Sequence, residues 1–182
     1  MKSDPHPLFF IALLPDAALQ AEVTAFKQYC ARHFGASHAL KSPPHITLVS
    51  PFRWPTDRLP ALAAALAEFS EKQPAFDIEL RDFGCFAPQV LFVDVVKNPN
   101  LEALEANLVV TLEQKIDLNR KTGHSFHPHM TIAHRDLQER IFPEAWTHFS
   151  ALEFRRSFLA SGLSLLRHSG GKWVVEMNFS FS

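Results

Sequence analysis

Two histidines in this chain lie in the same pentapeptide pattern, Pro-His-apolar-Thr-apolar, and are therefore candidates for acid–base chemistry. One copy spans residues 44–48 and the other residues 128–132. Polar and apolar residues alternate in both, which is typical of a strand with one buried face, so each His shares the open face with the Thr two positions later. Imidazole gives or takes a proton near neutral pH, and a hydroxyl can donate a hydrogen bond to an anionic oxygen. These side chains, His45, Thr47, His129 and Thr131, suit acid–base chemistry on a phosphate.

The repetition of the pattern distinguishes it from chance. With 10 His and 7 Thr in 182 residues, a random order gives about 0.4 His-x-Thr triplets. A single copy would most simply be a polar pair on the outer face of a sheet. Two copies that also share the preceding Pro and both apolar neighbours favour a functional pair.

The segments around the motifs predict helices and strands that place each motif strand after a helix and a loop. Helices are expected where apolar residues recur every three or four positions beyond a capping residue, at 17–34, 56–70 and 99–116, with a short one near Pro143. Strands are expected at 8–14, 45–52, 76–83, 90–97, the second motif, 154–159, 163–168 and 172–181. Both halves follow the order helix, loop, motif strand, helix and strands, and no linker separates them. We therefore expect residues 1–182 to form a single domain of two similar lobes.

The composition argues against several classes of protein. Hydrophobic residues make up 47% and charged residues 20%, an ordinary globular balance. A formal net charge of −1 argues against a protein that coats long nucleic acid, which needs a broad basic surface. The first apolar run stops at Pro15 and is too short to cross a membrane. Cys30 and Cys85 have neither metal-site nor disulfide spacing, so we expect a reduced, cytoplasmic setting, and we expect a monomer.

The two motifs, His45-Ile46-Thr47-Leu48 and His129-Met130-Thr131-Ile132, resemble those of the 2H phosphoesterase superfamily, which includes 2′-5′ RNA ligase-like proteins and cyclic phosphodiesterases. Weaker matches extend over most of the chain, among them the opening strand that ends in Pro15 and the stretch Phe83–Phe86. The resemblance implies an α+β fold of two lobes related by a pseudo-twofold axis. Each lobe would contribute an antiparallel sheet with helices and one motif to a central cleft.

The resemblance also implies a reaction. It is the metal-independent hydrolysis of a 2′,3′-cyclic phosphodiester, on a nucleotide or a short RNA end, to a 2′-phosphate; 2′-5′ ligation of RNA lies within the scope of the family, and no cofactor is implied. His45 would protonate the departing ribose oxygen and His129 would activate water, or the two roles would be reversed. Thr47 and Thr131 would bind the non-bridging phosphate oxygens. The alternative is a non-catalytic module that binds nucleotides or RNA ends and has kept the pocket.

An arginine after the second motif is a further candidate for binding substrate. Some family members carry Arg five residues after the second motif His, where this chain has His134 followed by Arg135. If the strand continues that far, Arg135 shares a face with His129 and Thr131 and points into the cleft.

Other basic and aromatic residues flank the motifs. A cluster of cations can hold a phosphate or carboxylate, or it can simply be solvated surface. The remaining candidates are Lys41 and Arg53 near the first motif and Arg120 and Lys121 near the second. Trp54 or Phe126 could stack on a base, although in a chain with 17 Phe the ring of Phe126 more simply packs in the core.

Metal binding is the main rival use of the histidines. His124, His127, His129 and His134 lie within eleven positions, as zinc ligands can. On a strand, however, His127 and His129 share a face whereas His124 and His134 face away. No carboxylate or thiolate has ligand spacing with them, so we expect no metal.

Overall fold

The computed structural model describes residues 4–118 and 125–182. In chain order its elements are β1 (Leu8–Leu13), α1 (Ala17–Phe34), β2 (Ile46–Arg53), α2 (Leu59–Ser70), β3 (Phe76–Phe86), β4 (Val90–Val95), α3 (Pro99–Ile116), β5 (His129–Ala133), α4 (Phe142–Ser150), β6 (Arg155–Ala160), β7 (Gly162–Ser169) and β8 (Lys172–Ser180). Short 3₁₀ helices at His38–Lys41 and Thr56–Arg58 precede β2 and α2. Every predicted helix and strand is found in this part of the chain, with ends that differ by a few residues.

The strands form two antiparallel sheets of four strands each. We define the first lobe by the sheet ordered β2-β1-β7-β8 and the second lobe by the sheet ordered β5-β4-β3-β6. The predicted α+β class with two antiparallel sheets is confirmed. The two lobes are not consecutive halves of the chain, because β3 and β4 belong to the second lobe and the last two strands return to the first. That residues 1–182 act as one domain stays a prediction.

The two lobes repeat one arrangement. The segment β1-α1-β2-α2 corresponds to β4-α3-β5-α4, and in each lobe the motif strand is an edge strand paired with the strand that precedes its helix. The registers correspond as well, since Ala12 pairs with Thr47 in the first lobe and Phe92 pairs with Thr131 in the second. The motifs therefore occupy equivalent places in two related sheets.

Capping residues set the ends of the helices that precede the motif strands. Asp16 accepts a hydrogen bond from Leu19 N at 3.0 Å at the start of α1, and Gly35 ends that helix in the left-handed conformation that glycine tolerates best. Asn98 caps α3 in the same way and is followed by Pro99. Helix α1 contacts β5 and helix α3 contacts β2, so each helix lies beside the motif strand of the opposite lobe. The two motif strands consequently meet where the lobes join.

Buried apolar side chains fall into two clusters of unequal size. The large cluster joins residues of both sheets with residues of all four helices. The small cluster contains Phe10, Ala12 and Leu166 of the first sheet, with Leu14 and Trp173 packed against it. Among the described helices, none has both the length and the apolar character needed to cross a membrane.

Candidate active site

A cleft of about 590 Å³ lies at the junction of the lobes. Its wall includes His45 and Thr47 of the first motif, Thr131 of the second motif, and Arg135. The structure thus brings three of the predicted motif side chains and the predicted arginine to one cavity. His129 is not part of that wall; it lies beside the cleft, close enough for its charge to act on His45.

Each motif histidine is held by a hydrogen bond from its Nδ1 atom to the backbone. His45 Nδ1 lies 2.7 Å from the carbonyl oxygen of Pro43, and His129 Nδ1 lies 2.6 Å from that of His127. A carbonyl oxygen can only accept, so Nδ1 must carry a proton in both rings. The Nε2 atom of each ring is then the one left to exchange a proton with a ligand.

Both threonine hydroxyls remain open to a ligand. Thr47 and Thr131 are half-buried on equivalent strands, and neither side chain forms a hydrogen bond with another residue in the ranges the structure describes. Such hydroxyls can donate to the oxygens of a bound phosphate without first breaking an internal bond.

Aromatic rings pack against both histidines but enclose them to different extents. The ring of Phe10 lies 4.7 Å from that of His45, and the ring of Phe92 lies 4.9 Å from that of His129. His129 also has the edge of Phe86 at 5.2 Å. These rings restrict both imidazoles, and among the described residues His129 has two phenylalanine neighbours where His45 has one.

Burial determines how readily the two motif histidines bind a proton. It lowers the pKa of His45 to about 4; the hydrogen bond to Pro43 opposes this change, and the positive charge of Lys27 adds to it. Burial also lowers the pKa of His129, but there both the hydrogen bond to His127 and the Asp94 carboxylate oppose the change. Both pKa values therefore lie below the ordinary value of an imidazole; at His129 the charge of His127 adds to the lowering, and Asp94 is a carboxylate that opposes it.

The residue beside each motif histidine on the neighbouring strand differs between the two lobes. Asp94 pairs directly with His129 in the β4–β5 ladder, and its Oδ1 atom lies 3.9 Å from Nε2 of His127. In the first lobe the last pair of the corresponding ladder is Leu13 with Ile46, and the next residue is the apolar Leu14. One lobe thus places a carboxylate near its histidine, and the other places a leucine there.

A buried lysine lies behind the first motif. Lys27 is 1% exposed, and its Nζ atom donates hydrogen bonds to the carbonyl oxygens of Ala39 at 3.1 Å and Ser42 at 3.0 Å. Burial lowers the pKa of Lys27 to about 8. Both carbonyls belong to the segment that leads into β2, so Lys27 holds this segment against α1 and adds positive charge near His45.

The turn after β5 closes one side of the cleft. Oδ2 of Asp136 accepts hydrogen bonds from Ser37 N and His38 N, both at 2.8 Å. The rings of His38 and His134 meet edge to face, with centroids 4.9 Å apart, and burial lowers the pKa of His134 to about 4. The carboxylate thereby ties the segment at Ser37 and His38 to the turn that follows the second motif strand.

Two predictions about this turn need correction. Strand β5 ends at Ala133, so strand alternation does not place Arg135; instead Arg135 has a left-handed backbone, with φ of 60°, and still lines the cleft. His134, expected to face away, lines the cleft as well, because the chain has already left the strand at that point.

The other basic and aromatic residues proposed from the sequence to bind substrate lie in different places. Lys41 lines the cleft, whereas Arg53 pairs with Asp4 on the surface. Trp54 is buried and donates from Nε1 to Arg58 O, which removes it as a base-stacking residue. Phe126 packs against the large core cluster. Three further candidates, Arg120, Lys121 and His124, lie outside the described residues.

The residues that the structure describes contain no group of three or more His, Cys, Asp or Glu side chains placed to hold a metal ion. His127 lies near Asp94, and His134 lies near His38, but these pairs do not combine into one set of ligands.

The sequence analysis missed several residues of the site, and one had left a signal. Phe10, His38 and Trp173 line the cleft from two strands and a 3₁₀ helix that are distant in sequence, and no local pattern marks them. Lys27, in contrast, interrupts the buried stripe of α1, because Val23 and Cys30 on either side are both fully buried. A lysine in an apolar stripe predicts either a buried structural cation or an anion site.

Comparison with known sequences identifies relatives over most of the chain. The model of the 2′-5′ RNA ligase superfamily matches residues 15–172. A protein of Bacillus cytotoxicus that is provisionally named a phosphoesterase is 28% identical over 127 residues, which cover 69% of this chain and 68% of that protein.

Comparison with solved structures identifies the same architecture. The LigT protein of E. coli, solved in complex with 3′-AMP, superposes with a TM-score of 0.71 at 18% identity, covering 97% of this chain and 99% of that one. A protein of Thermus thermophilus superposes with a TM-score of 0.69 at 18% identity, covering 96% and 97% of the two chains. At this level of identity the likeness establishes the fold.

Proposed function

This chain belongs to the 2′-5′ RNA ligase superfamily, and on that premise we propose that it is a metal-independent phosphoesterase that opens a 2′,3′-cyclic phosphodiester at the end of a nucleotide or short RNA. The product would be a 2′-phosphate. A cytoplasmic location, a monomeric state and the capacity for 2′-5′ ligation remain predictions.

The observation that carries the proposal is the meeting of the two motifs at the junction of the lobes, where His45, Thr47 and Thr131 line one cleft and His129 lies beside it. Hydrolysis of a cyclic phosphate needs a base for water and an acid for the departing ribose oxygen, and two imidazoles can supply both. Hydroxyls on the non-bridging oxygens would stabilise the charge of the transition state. LigT, which shares this fold, was solved with 3′-AMP bound, and this supports the proposal that a nucleotide is the ligand here.

The surroundings of the histidines favour one of the two role assignments left open by the sequence. His45, held neutral by burial, would take a proton from water through Nε2. His129, whose protonation Asp94 favours, would donate a proton to the 3′ oxygen as the bond between that oxygen and phosphorus breaks. The water oxygen becomes the new oxygen on the 2′-phosphate, and the two histidines exchange protons with solvent before the next cycle. This assignment is the reverse of the one that the family resemblance suggested first.

The direct test is turnover of 2′,3′-cyclic AMP in the presence of EDTA, followed by separation of 2′-AMP from 3′-AMP. We expect 2′-AMP as the product, no effect of EDTA, and no turnover by the double variant His45→Ala/His129→Ala. The variant His33→Ala, on the exposed end of α1, is the matched control and should retain full activity.

Three results would contradict parts of the proposal. Activity that EDTA abolishes would exclude the metal-independent mechanism. Formation of 3′-AMP would show that the bond between phosphorus and the 2′ oxygen is the one that breaks. Tight binding of the cyclic nucleotide without turnover on it or on a cyclic-phosphate oligonucleotide would instead support the binding module.

A further inference from the structure

A second, smaller pocket lies next to the cleft and shares part of its lining with it. It has a volume of about 250 Å³ and shares Lys41, Ser42 and Trp173 with the cleft. Two further lysines, Lys27 and Lys172, complete its charged lining, and no acidic residue is among the described residues that form it. We call this cavity the lysine pocket. The lysine pocket and the cleft are therefore neighbours, with these three shared residues between them.

The lysine pocket brings together cations from three separate elements. Lys27 comes from α1, Lys41 from the 3₁₀ helix before β2, and Lys172 from the start of β8. Three cationic side chains from separate elements therefore line one small cavity, and each would attract an anion bound there.

These lysines have no carboxylate partner among the residues that the structure describes, in contrast to lysines elsewhere in the chain. Lys72 and Lys115 both pair with Glu68. Lys27 donates to two backbone carbonyls, whereas an ammonium group carries three donors, so one donor remains. The two carbonyl bonds explain a structural role for Lys27, but they do not explain why Lys41 and Lys172 converge on the same cavity.

We propose that the lysine pocket binds a second phosphate group of the substrate while the first phosphate reacts in the cleft. This inference rests on the proposed function. The second phosphate would be either the 5′-phosphate of the reacting nucleotide or the next phosphodiester of a short RNA, because both present oxygens that accept from ammonium groups. The net charge of −1 on the whole chain fits a local phosphate pocket better than an extended RNA track.

The test compares substrates that share a reacting end and differ in the second phosphate. The one-phosphate substrate is adenosine 2′,3′-cyclic phosphate. The two-phosphate substrates are its 5′-phosphorylated form and a dinucleotide with a cyclic end and a free 5′-hydroxyl. We expect kcat/KM of the native protein to be about 10-fold higher for at least one two-phosphate substrate, mainly through a lower KM, since charge-assisted hydrogen bonds contribute to binding.

The variant Lys172→Met should reduce this preference to nearly equal kcat/KM values, and Lys172→Glu should reverse it. Lys172 is exposed, so neither change removes core packing. Lys97→Met, an exposed lysine in the second lobe, is the matched control and should keep the native preference. A preference for only the 5′-phosphorylated form, or for only the dinucleotide, identifies which phosphate occupies the pocket.

The inference is overturned if the native protein turns over all three substrates with equal kcat/KM, or if Lys172→Met keeps the native preference. If the native protein turns over none of them, the proposed function fails, and the lysine pocket is then tested by binding alone. In that case, calorimetry should show tighter binding of adenosine 2′,5′-bisphosphate than of 2′-AMP, with the difference lost in Lys172→Met. Equal binding of the two nucleotides would overturn the inference independently.

Discussion

His45 and His129 occupy equivalent positions in two related lobes, yet their surroundings differ in charge. Both rings donate from Nδ1 to the carbonyl two residues earlier, and both pack against a phenylalanine. Lys27 lies near the first ring, and Asp94 lies near the second. A duplicated frame thus holds two identical side chains, and a carboxylate opposes the lowering of the pKa at His129 whereas a lysine adds to it at His45. A pair of titratable groups whose pKa values are pushed apart is what an acid and a base require.

The largest expected effect tests whether the two lobes are equally necessary. His45→Ala and His129→Ala should each lower kcat/KM by about 10²- to 10⁴-fold, since each removes one proton-transfer group. In the native protein the plot of kcat/KM against pH should be bell-shaped, with its acidic limb near pH 4 from His45 and its basic limb set by His129. When the residual activity of each variant is plotted against pH, His45→Ala should lack the acidic limb and His129→Ala should lack the basic limb. If His129→Ala loses the acidic limb instead, His129 is the base and His45 is the acid.

The next effect compares the two hydroxyls. Thr47→Val and Thr131→Val should each reduce kcat by about 10²-fold, because each removes one donor to the developing phosphate charge while keeping the shape of the side chain. Conservative Ser replacements should restore most of the activity, which separates the hydroxyl from packing. A loss in only one lobe would show that the phosphate is held from one side.

A smaller effect concerns the glycine that supports the second histidine. Gly84 pairs with Phe92 across β3 and β4, and a Cβ at this position would clash with the Phe92 ring, which itself packs on His129. Gly84→Ala should therefore displace that ring, with a cost of about 1–3 kcal/mol in the free energy of unfolding and about a 10-fold loss of kcat. Denaturant unfolding and steady-state kinetics measure the two effects.

The double variant Gly84→Ala/Phe92→Leu provides the control for that prediction. A smaller side chain at position 92 makes room for the new methyl group, so the double variant should be more stable than Gly84→Ala alone. An unchanged free energy of unfolding in Gly84→Ala would show that the Phe92 ring can make room for a methyl group at position 84.

The smallest effect tests the charge difference between the lobes directly. Asp94→Asn removes the carboxylate that favours the protonated form of His129, so the pKa of His129 should fall and the basic limb of the pH profile should move to lower pH. At pH 7 we expect a loss of kcat/KM of about 3-fold, with the acidic limb unchanged. The control Asp77→Asn, on β3, should leave both limbs in place. A shift of the acidic limb instead would mean that Asp94 acts on His45.

Local patterns predicted the elements because their causes are local. Asp16 and Gly35 mark the ends of α1, and the alternation around His45 marks β2. The prediction for Arg135 shows the limit of this approach, since strand alternation holds only while the strand continues and β5 ends at Ala133. The turn that follows is held by hydrogen bonds to a loop about a hundred residues earlier, and no local pattern reports such a contact.

The sequence by itself determined the family and the α+β class, and it predicted four motif side chains as the site, because a duplicated pattern with a two-residue period specifies which groups share a strand face. Only the tertiary structure decided how the strands are shared between the lobes, with β7 and β8 returning to the first sheet. It also decided which charges lie near each histidine and that three distant lysines meet in one pocket. The physical reason is that charge–charge interactions and burial depend on distances in space, which a linear spacing of residues does not contain.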